Sequence, residues 1–177
     1  MIGIKGIFTT MTGFFDRERM EFAVIGAFGL HAYGYTRATR DIDFITRLEN
    51  QGRIIRFLDS LGFELLQKTS AFSNHLHPLG SIRIDMMYVD GKTADAIFAD
   101  IRKVTLFEKN ETPVVSPEHL IALKLFAAMN DPQRKYREFA DVQEIARKVD
   151  VDKEKVHQYF VKYGFEGLYE EIFGKKK

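Results

Sequence analysis

Val24-Ile25-Gly26-Ala27-Phe28-Gly29-Leu30-His31-Ala32-Tyr33-Gly34-Tyr35-Thr36-Arg37-Ala38-Thr39-Arg40-Asp41-Ile42-Asp43-Phe44-Ile45 is the stretch on which the fold turns. It reads as an apolar strand, a glycine turn opening a helix that Gly34 stops, a basic turn, and a second apolar strand with aspartates on alternate residues. Residues two apart in a strand share a face, so Asp41 and Asp43 project together while Ile42, Phe44 and Ile45 supply packing. Paired carboxylates repel unless a cation neutralises them, and Mg²⁺ favours one or two carboxylates together with phosphate oxygens. Gly26 allows close backbone approach at the start of a helix, where unpaired N–H groups favour a phosphate. Together these features describe a site for a metal-bound nucleoside triphosphate.

Outward from this stretch, Phe22–Ile25 is the first strand, preceded by a short helix over residues 16–21. Residues 1–15 mix Gly, Thr and Phe without clear periodicity and read as a capping or interface segment. Downstream, residues 50–61 place Ile54, Ile55, Phe57, Leu58 and Leu61 along one side of an amphipathic helix ended by Gly62. A strand over residues 63–67 follows, then an edge strand or loop over 71–78 that holds His75 and His77. His31 in the glycine-turn helix has no histidine at i+4 and reads as a surface or core residue.

The alternation of Ser81-Ile82-Arg83-Ile84-Asp85-Met86-Met87-Tyr88-Val89 marks a further strand with Asp85 as its single acid. A carboxylate there needs a partner or an ion. Arg83, on the same face, is one candidate partner, and a metal shared with the aspartate pair is the other. Next come a short helix over 93–100 and strands at 103–107 and 112–115, joined by a turn at Lys109-Asn110-Glu111. Ser116-Pro117 then caps a helix that Asn130-Asp131-Pro132 interrupts. Two further helices follow, 152–163 and 165–173. Lys124 stands inside the otherwise apolar helix after Pro117, where an exposed lysine would snorkel to solvent.

The run Gly26-Ala27-Phe28-Gly29-Leu30, then Gly34, then Arg37-Ala38-Thr39-Arg40-Asp41-Ile42-Asp43-Phe44, closely resembles the glycine turn and Asp-x-Asp of the nucleotidyltransferase superfamily, which has a DNA polymerase beta-like fold. It looks most like the branch of AbiEii abortive-infection toxins. Pro117-Glu118-His119-Leu120-Ile121-Ala122-Leu123-Lys124-Leu125 and Arg137-Glu138-Phe139-Ala140-Asp141-Val142 resemble later phrases of that branch, so the likeness spans Val24 to Val142. Ala27 departs from the Gly or Ser usual after the first glycine. A side-chain hydroxyl to phosphate is lost there while the backbone donors remain.

The resemblance implies an α+β fold: a nucleotidyltransferase core over residues 1–115, with a C-terminal helical segment, 116–177, packed on it as one compact unit. It further implies transfer of a nucleoside monophosphate from an NTP to a hydroxyl, with Asp41, Asp43 and Asp85 catalytic and holding two Mg²⁺ or Mn²⁺ ions. Gly26, Ala27, Arg37, Thr39, Lys124 and Asp141 would bind the nucleotide. Asp141 would pair with Lys124, and Glu138 would be a surface neighbour of Asp141. The acceptor implied is RNA, tRNA included, and the protein partner an antitoxin, although the superfamily also modifies antibiotics and proteins. A non-catalytic nucleotide-binding module is the rival class. A glycosyltransferase using a nucleotide sugar fits the glycine turn and the later strand aspartate badly.

Composition agrees with this frame. The chain has 177 residues, 45% hydrophobic and 29% charged, enough for one well-buried core. No apolar run approaches bilayer length and the amino terminus lacks a signal-peptide pattern, so a cytoplasmic address without a membrane is expected. Absence of cysteine removes thiolate metal sites and leaves oxygen-ligated Mg²⁺ or Mn²⁺. Net charge is only +1, but Arg37, Arg40, Arg47, Arg53 and Arg56 cluster around the aspartate pair, suited to steer phosphates. Arg53 and Arg56 read rather as a solvated helix face, and Lys175-Lys176-Lys177 as a solubilising tail.

Overall fold

A computed structural model describes residues 3–79, 82–107 and 110–174. Ser81, Lys109 and the terminal lysines named above lie outside the described residues. The chain forms two compact units: one runs to Ala32 and from Thr36 to Val115, the other comprises Tyr33–Tyr35 and the chain from Ser116 onward.

The first unit is built on a mixed sheet of strands β1 (Phe22–Val24), β2 (Asp41–Arg47), β3 (Glu64–Lys68), β4 (Phe72–His77), β5 (Ile82–Val89), β6 (Arg102–Leu106) and β7 (Asn110–Val114). Their spatial order is β3-β4-β5-β2-β1-β7-β6. β2 runs parallel to β5 and β1 parallel to β7, while the remaining neighbours are antiparallel. Helices α1 (Ile4–Arg17), α2 (Gly26–Ala32), α3 (Gln51–Ser60) and α4 (Gly91–Phe98) accompany the sheet. This is the α+β architecture expected from the sequence.

Two expectations fail here for identifiable reasons. Residues 4–17 form one helix, α1, that buries Ile7, Phe8, Met11, Phe14 and Phe15. The 7/8, 11, 14/15 spacing is a helical stripe, obscured in the sequence by Gly6, Gly13 and β-branched threonines that favour other conformations. Asp16 and Arg17 end this helix rather than begin another, and Arg19, at φ 53°, turns the chain into β1. Residues 72–77 are not an edge but an inner strand, because β3 pairs beyond them. Their polar side chains hid this.

The core lies against the apolar face of β2. Phe44 meets Phe8 and Phe15 of α1 at ring-centroid distances of 5.7 and 5.2 Å, and Phe8 also contacts Phe28 and Phe107. Phe14 stacks on Phe57 of α3 at 3.9 Å, holding α1 to α3. Burying several aromatics fixes β2 in register, and with it the direction of every alternate side chain.

The second unit is helical: α5 (Pro117–Asn130), α6 (Lys135–Lys148), α7 (Lys153–Tyr163) and α8 (Glu166–Phe173). Ser116 caps α5 by accepting from the His119 N–H, with Pro117 in the first turn, as the sequence implied. Gly164, at φ 75°, ends α7 in the left-handed conformation that glycine adopts without strain. Among the described residues no helix is long and apolar enough to cross a membrane.

Candidate active site

Burial alternates along β2 so that Ile42 and Phe44 enter the core while Asp41 and Asp43 remain half-exposed on the opposite face. β5 alternates the same way, with Ile84 and Met86 inside and Arg83 and Asp85 outside. The parallel register sets Asp41 beside Arg83 and Asp43 beside Asp85. Antiparallel β4 continues the second row by setting Asn74 beside Asp85. One face of three adjacent strands thus carries the row Asp43, Asp85, Asn74 and the row Asp41, Arg83, Leu76.

The glycine turn abuts this face. Gly26 has φ +61°, and a Cβ built there would fall 2.0 Å from Asp43 Oδ2, so the absent side chain is the room that the carboxylate occupies. The Ile25 N–H donates to the Asp43 carbonyl at 3.0 Å and fastens the turn to β2. Ala27 is buried at the start of α2. In the loop leading to β2, Thr39 Oγ1 accepts from the Asp41 N–H at 3.0 Å, an arrangement that shapes the turn delivering Asp41. Arg37 is held by its backbone, whose N–H donates to His31 Nε2 at 3.2 Å.

Asp85 is engaged from two sides. Asn74 Nδ2 donates to its Oδ1 at 2.6 Å, and Arg83 Nε donates to the same oxygen at 3.2 Å. The Arg83 partnership considered from sequence is therefore present, and Asn74, which sequence reasoning missed, adds to it. All the candidate ligands are carboxylate oxygens, the donors hard divalent cations take. Among the described residues no three carboxylate or imidazole groups are gathered closely enough to hold a metal ion as they stand.

Behind this face, Ser73 Oγ lies 2.8 Å from His75 Nε2 and 2.8 Å from Tyr88 Oη. Both Ser73 and His75 are buried, so His75 is an inner-strand residue rather than a loop residue. Burial lowers the His75 pKa, opposed by the Asp85 charge, and pushes the Tyr88 hydroxyl up to about 12.

The arginine cluster disperses. Arg47 pairs with Glu21 and with Asp95, the latter at 3.0 Å, and lies over the Phe98 ring; Arg53 pairs with Glu18. Both serve to join elements. Arg40 is exposed.

Lys124 is neither exposed nor alone. Its ammonium lies 2.8 Å from Glu138 Oε2 and 2.6 Å from Asp141 Oδ2, with all three side chains buried. The pairing of Lys124 with Asp141 is present. The alternative of a snorkelling Lys124 and the surface position considered for Glu138 are not: α5 and α6 enclose both, and Arg134 donates to Glu138 Oε1 at 2.8 Å. Burial would raise the Glu138 pKa, but Lys124 and Arg134 outweigh it and hold the carboxyl below its ordinary value.

Comparison with known proteins adds the lineage. The fold resembles the antibiotic-resistance factor ANT(2'')-Ia, with TM-score 0.70 at 14% identity over 93% of this chain and 92% of that one. It also resembles the lincosamide antibiotic adenylyltransferase LnuA, solved with lincomycin bound, with TM-score 0.60 at 15% identity over 84% of this chain and 99% of that one. A third likeness is to an antigenic nucleotidyltransferase-like protein from Paracoccidioides brasiliensis, with TM-score 0.57 at 12% identity over 97% and 96% of the two chains. Among curated proteins none matches the sequence significantly. Residues 14–175 match the family described as nucleotidyl transferase AbiEii toxin, Type IV TA system, and the chain belongs to that family.

Proposed function

We propose that this nucleotidyltransferase moves a nucleoside monophosphate from an NTP to an acceptor hydroxyl and releases pyrophosphate. The observation that carries the proposal is the cross-strand register pairing Asp43 with Asp85, with Asp41 on the same face and Gly26 making room for the Asp43 carboxylate. The donor set fits Mg²⁺ or Mn²⁺, which Asp41, Asp43 and Asp85 would hold. A bound divalent cation would neutralise the carboxylates and polarise phosphate oxygens.

Within the chain, Asp85 serves as general base. Its Oδ1 is taken by Asn74 and Arg83, so Oδ2 is the oxygen that accepts the proton of the attacking hydroxyl. The backbone of Gly26 and Ala27 and the side chain of Arg37 are proposed to bind the triphosphate, with Thr39 acting through the turn it builds ahead of Asp41. The resemblance also assigns a phosphate contact to Lys124 with Asp141 as its partner. Three N–H bonds belong to that ammonium, and Glu138 and Asp141 account for two.

RNA, tRNA included, is the proposed acceptor and an antitoxin the proposed protein partner, in keeping with a toxin family. Such a reaction belongs in the cytoplasm, where NTPs and RNA are at hand. The likeness in fold to an antibiotic-resistance factor and to a lincosamide antibiotic adenylyltransferase favours a small-molecule acceptor as the second reading. Incubation with each labelled NTP, Mg²⁺ and either total RNA, cell lysate, an aminoglycoside or a lincosamide separates them. Label on RNA supports the first reading and label on the drug the second. Tight NTP binding without label on any acceptor favours the binding module.

A further inference from the structure

We infer that Asn74 is a positioning residue for Asp85, an inference that rests on the nucleotidyl-transfer reading. Asp85 faces the like charge of Asp43 across β2 and β5, and its own strand offers Arg83 two residues away. Arginine frequently binds a carboxylate through both oxygens. Asn74 competes for that carboxylate from the other side. Its Nδ2 reaches Oδ1 at 2.6 Å, closer than Arg83 Nε at 3.2 Å, so both donors share one oxygen and Oδ2 is left for chemistry.

β4 is well placed to hold Asn74 still. The residues flanking it, Ser73 and His75, are 0% and 1% exposed, and Ser73 ties His75 to Tyr88 of β5 on the opposite face of the sheet. The β4–β5 register is thereby locked from behind, and the amide cannot follow the carboxylate if Asp85 drifts toward Arg83.

The test compares wild type with Asn74→Asp, Asn74→Ala and Asp85→Asn, reading pyrophosphate release from the four NTPs with Mg²⁺ and, in parallel, total RNA, cell lysate, an aminoglycoside or a lincosamide as acceptor. Asn74→Asp keeps the shape but sets a carboxylate where an N–H donor stood; Asn74→Ala simply removes the donor. Orienting partners of this kind typically contribute about 10–100-fold, so kcat should fall by roughly that factor, more in the Asp variant, with KM for NTP unchanged within about threefold. A crystal structure of Asn74→Ala gives a readout free of turnover: both Asp85 oxygens should be found on Arg83. An unmoved Asp85 overturns the inference. Full activity of both Asn74 variants beside an inactive Asp85→Asn also overturns it while leaving the nucleotidyl-transfer reading in place. Full activity of Asp85→Asn, or no release by the wild type, removes that reading and the inference with it.

Discussion

Gly26 tolerates no side chain for two independent reasons: its φ of +61° is costly for an L-residue, and the Cβ position is filled by the Asp43 carboxylate. Gly26→Ala should therefore displace Asp43 and cost about 1–3 kcal/mol in stability. Nucleotide binding measured on the folded variant should fall with it, and undiminished affinity would separate the turn from the site. His75 makes a prediction of a different kind. Because burial lowers its pKa below the ordinary 6.5, the unfolded chain binds the proton more readily than the folded one. Its contribution is complete above about pH 6.5 and is lost as pH falls through the folded value. Denaturation midpoints measured between pH 8 and 5 should decline in the wild type and decline less in His75→Asn; parallel curves would show that His75 carries no such linkage. Gly26 and the aspartate pair were legible in the sequence because glycine punctuation and strand alternation are local signals. Asn74 was not, since a polar residue in a strand does not announce which carboxylate another strand will bring beside it.

Local periodicity also decides what could be read of whole elements. β2 and β5 alternate cleanly and were legible; α1 was masked by its glycines and threonines, and β4 by Ser73, Asn74 and His75, whose partners come from elsewhere in the sheet. Lys124 could not be placed from local periodicity, because the acids that bury it stand 14 and 17 residues downstream on α6; the family resemblance paired it with Asp141 but left Glu138 on the surface. Their enclosure changes what a mutation does. Lys124→Met removes the ammonium that the buried Glu138 and Asp141 share and should cost roughly 3–5 kcal/mol, whereas an exposed lysine would cost at most about 1. Neutralising both acids as well, in Lys124→Met/Glu138→Gln/Asp141→Asn, should recover most of the loss. Denaturant titration of the two variants checks both steps, and a single variant as stable as wild type would sink the enclosed-triad account. Nucleotide affinity of the restabilised triple variant then addresses the phosphate contact: unchanged affinity withdraws Lys124 and Asp141 from the proposed nucleotide site. Acid should weaken the same cluster. Glu138 has its pKa held below 4.5, so its contribution is present above that value and lost as pH falls through the folded one, a window distinct from that of His75.

At the scale of the whole molecule, an ordinary composition and a net charge of +1 said little about function, while the order of the motifs along the chain said much. The two units can each be tested through ligand linkage, since a ligand that binds only the folded state stabilises whatever unit holds it. At a hundred times its dissociation constant, Mg-NTP should add about 2.7 kcal/mol. For a chain of this size that is a rise in melting temperature of roughly 5–10 °C. Should the units melt in separate steps, the transition of the sheet-bearing unit is the one expected to move, because Asp41, Asp43 and Gly26 belong to it. Asp43→Ala should melt as the wild type does without ligand, or slightly higher as carboxylate repulsion is relieved, and should lose the ligand-induced rise. Asp85→Asn should keep that rise, since its proposed work is on the acceptor hydroxyl rather than the triphosphate. NTP with EDTA tests the cation: a rise as large as that with Mg²⁺ would remove the metal from the proposal while leaving nucleotide binding intact. A rise confined to the helical unit would move the nucleotide site off the carboxylate face altogether.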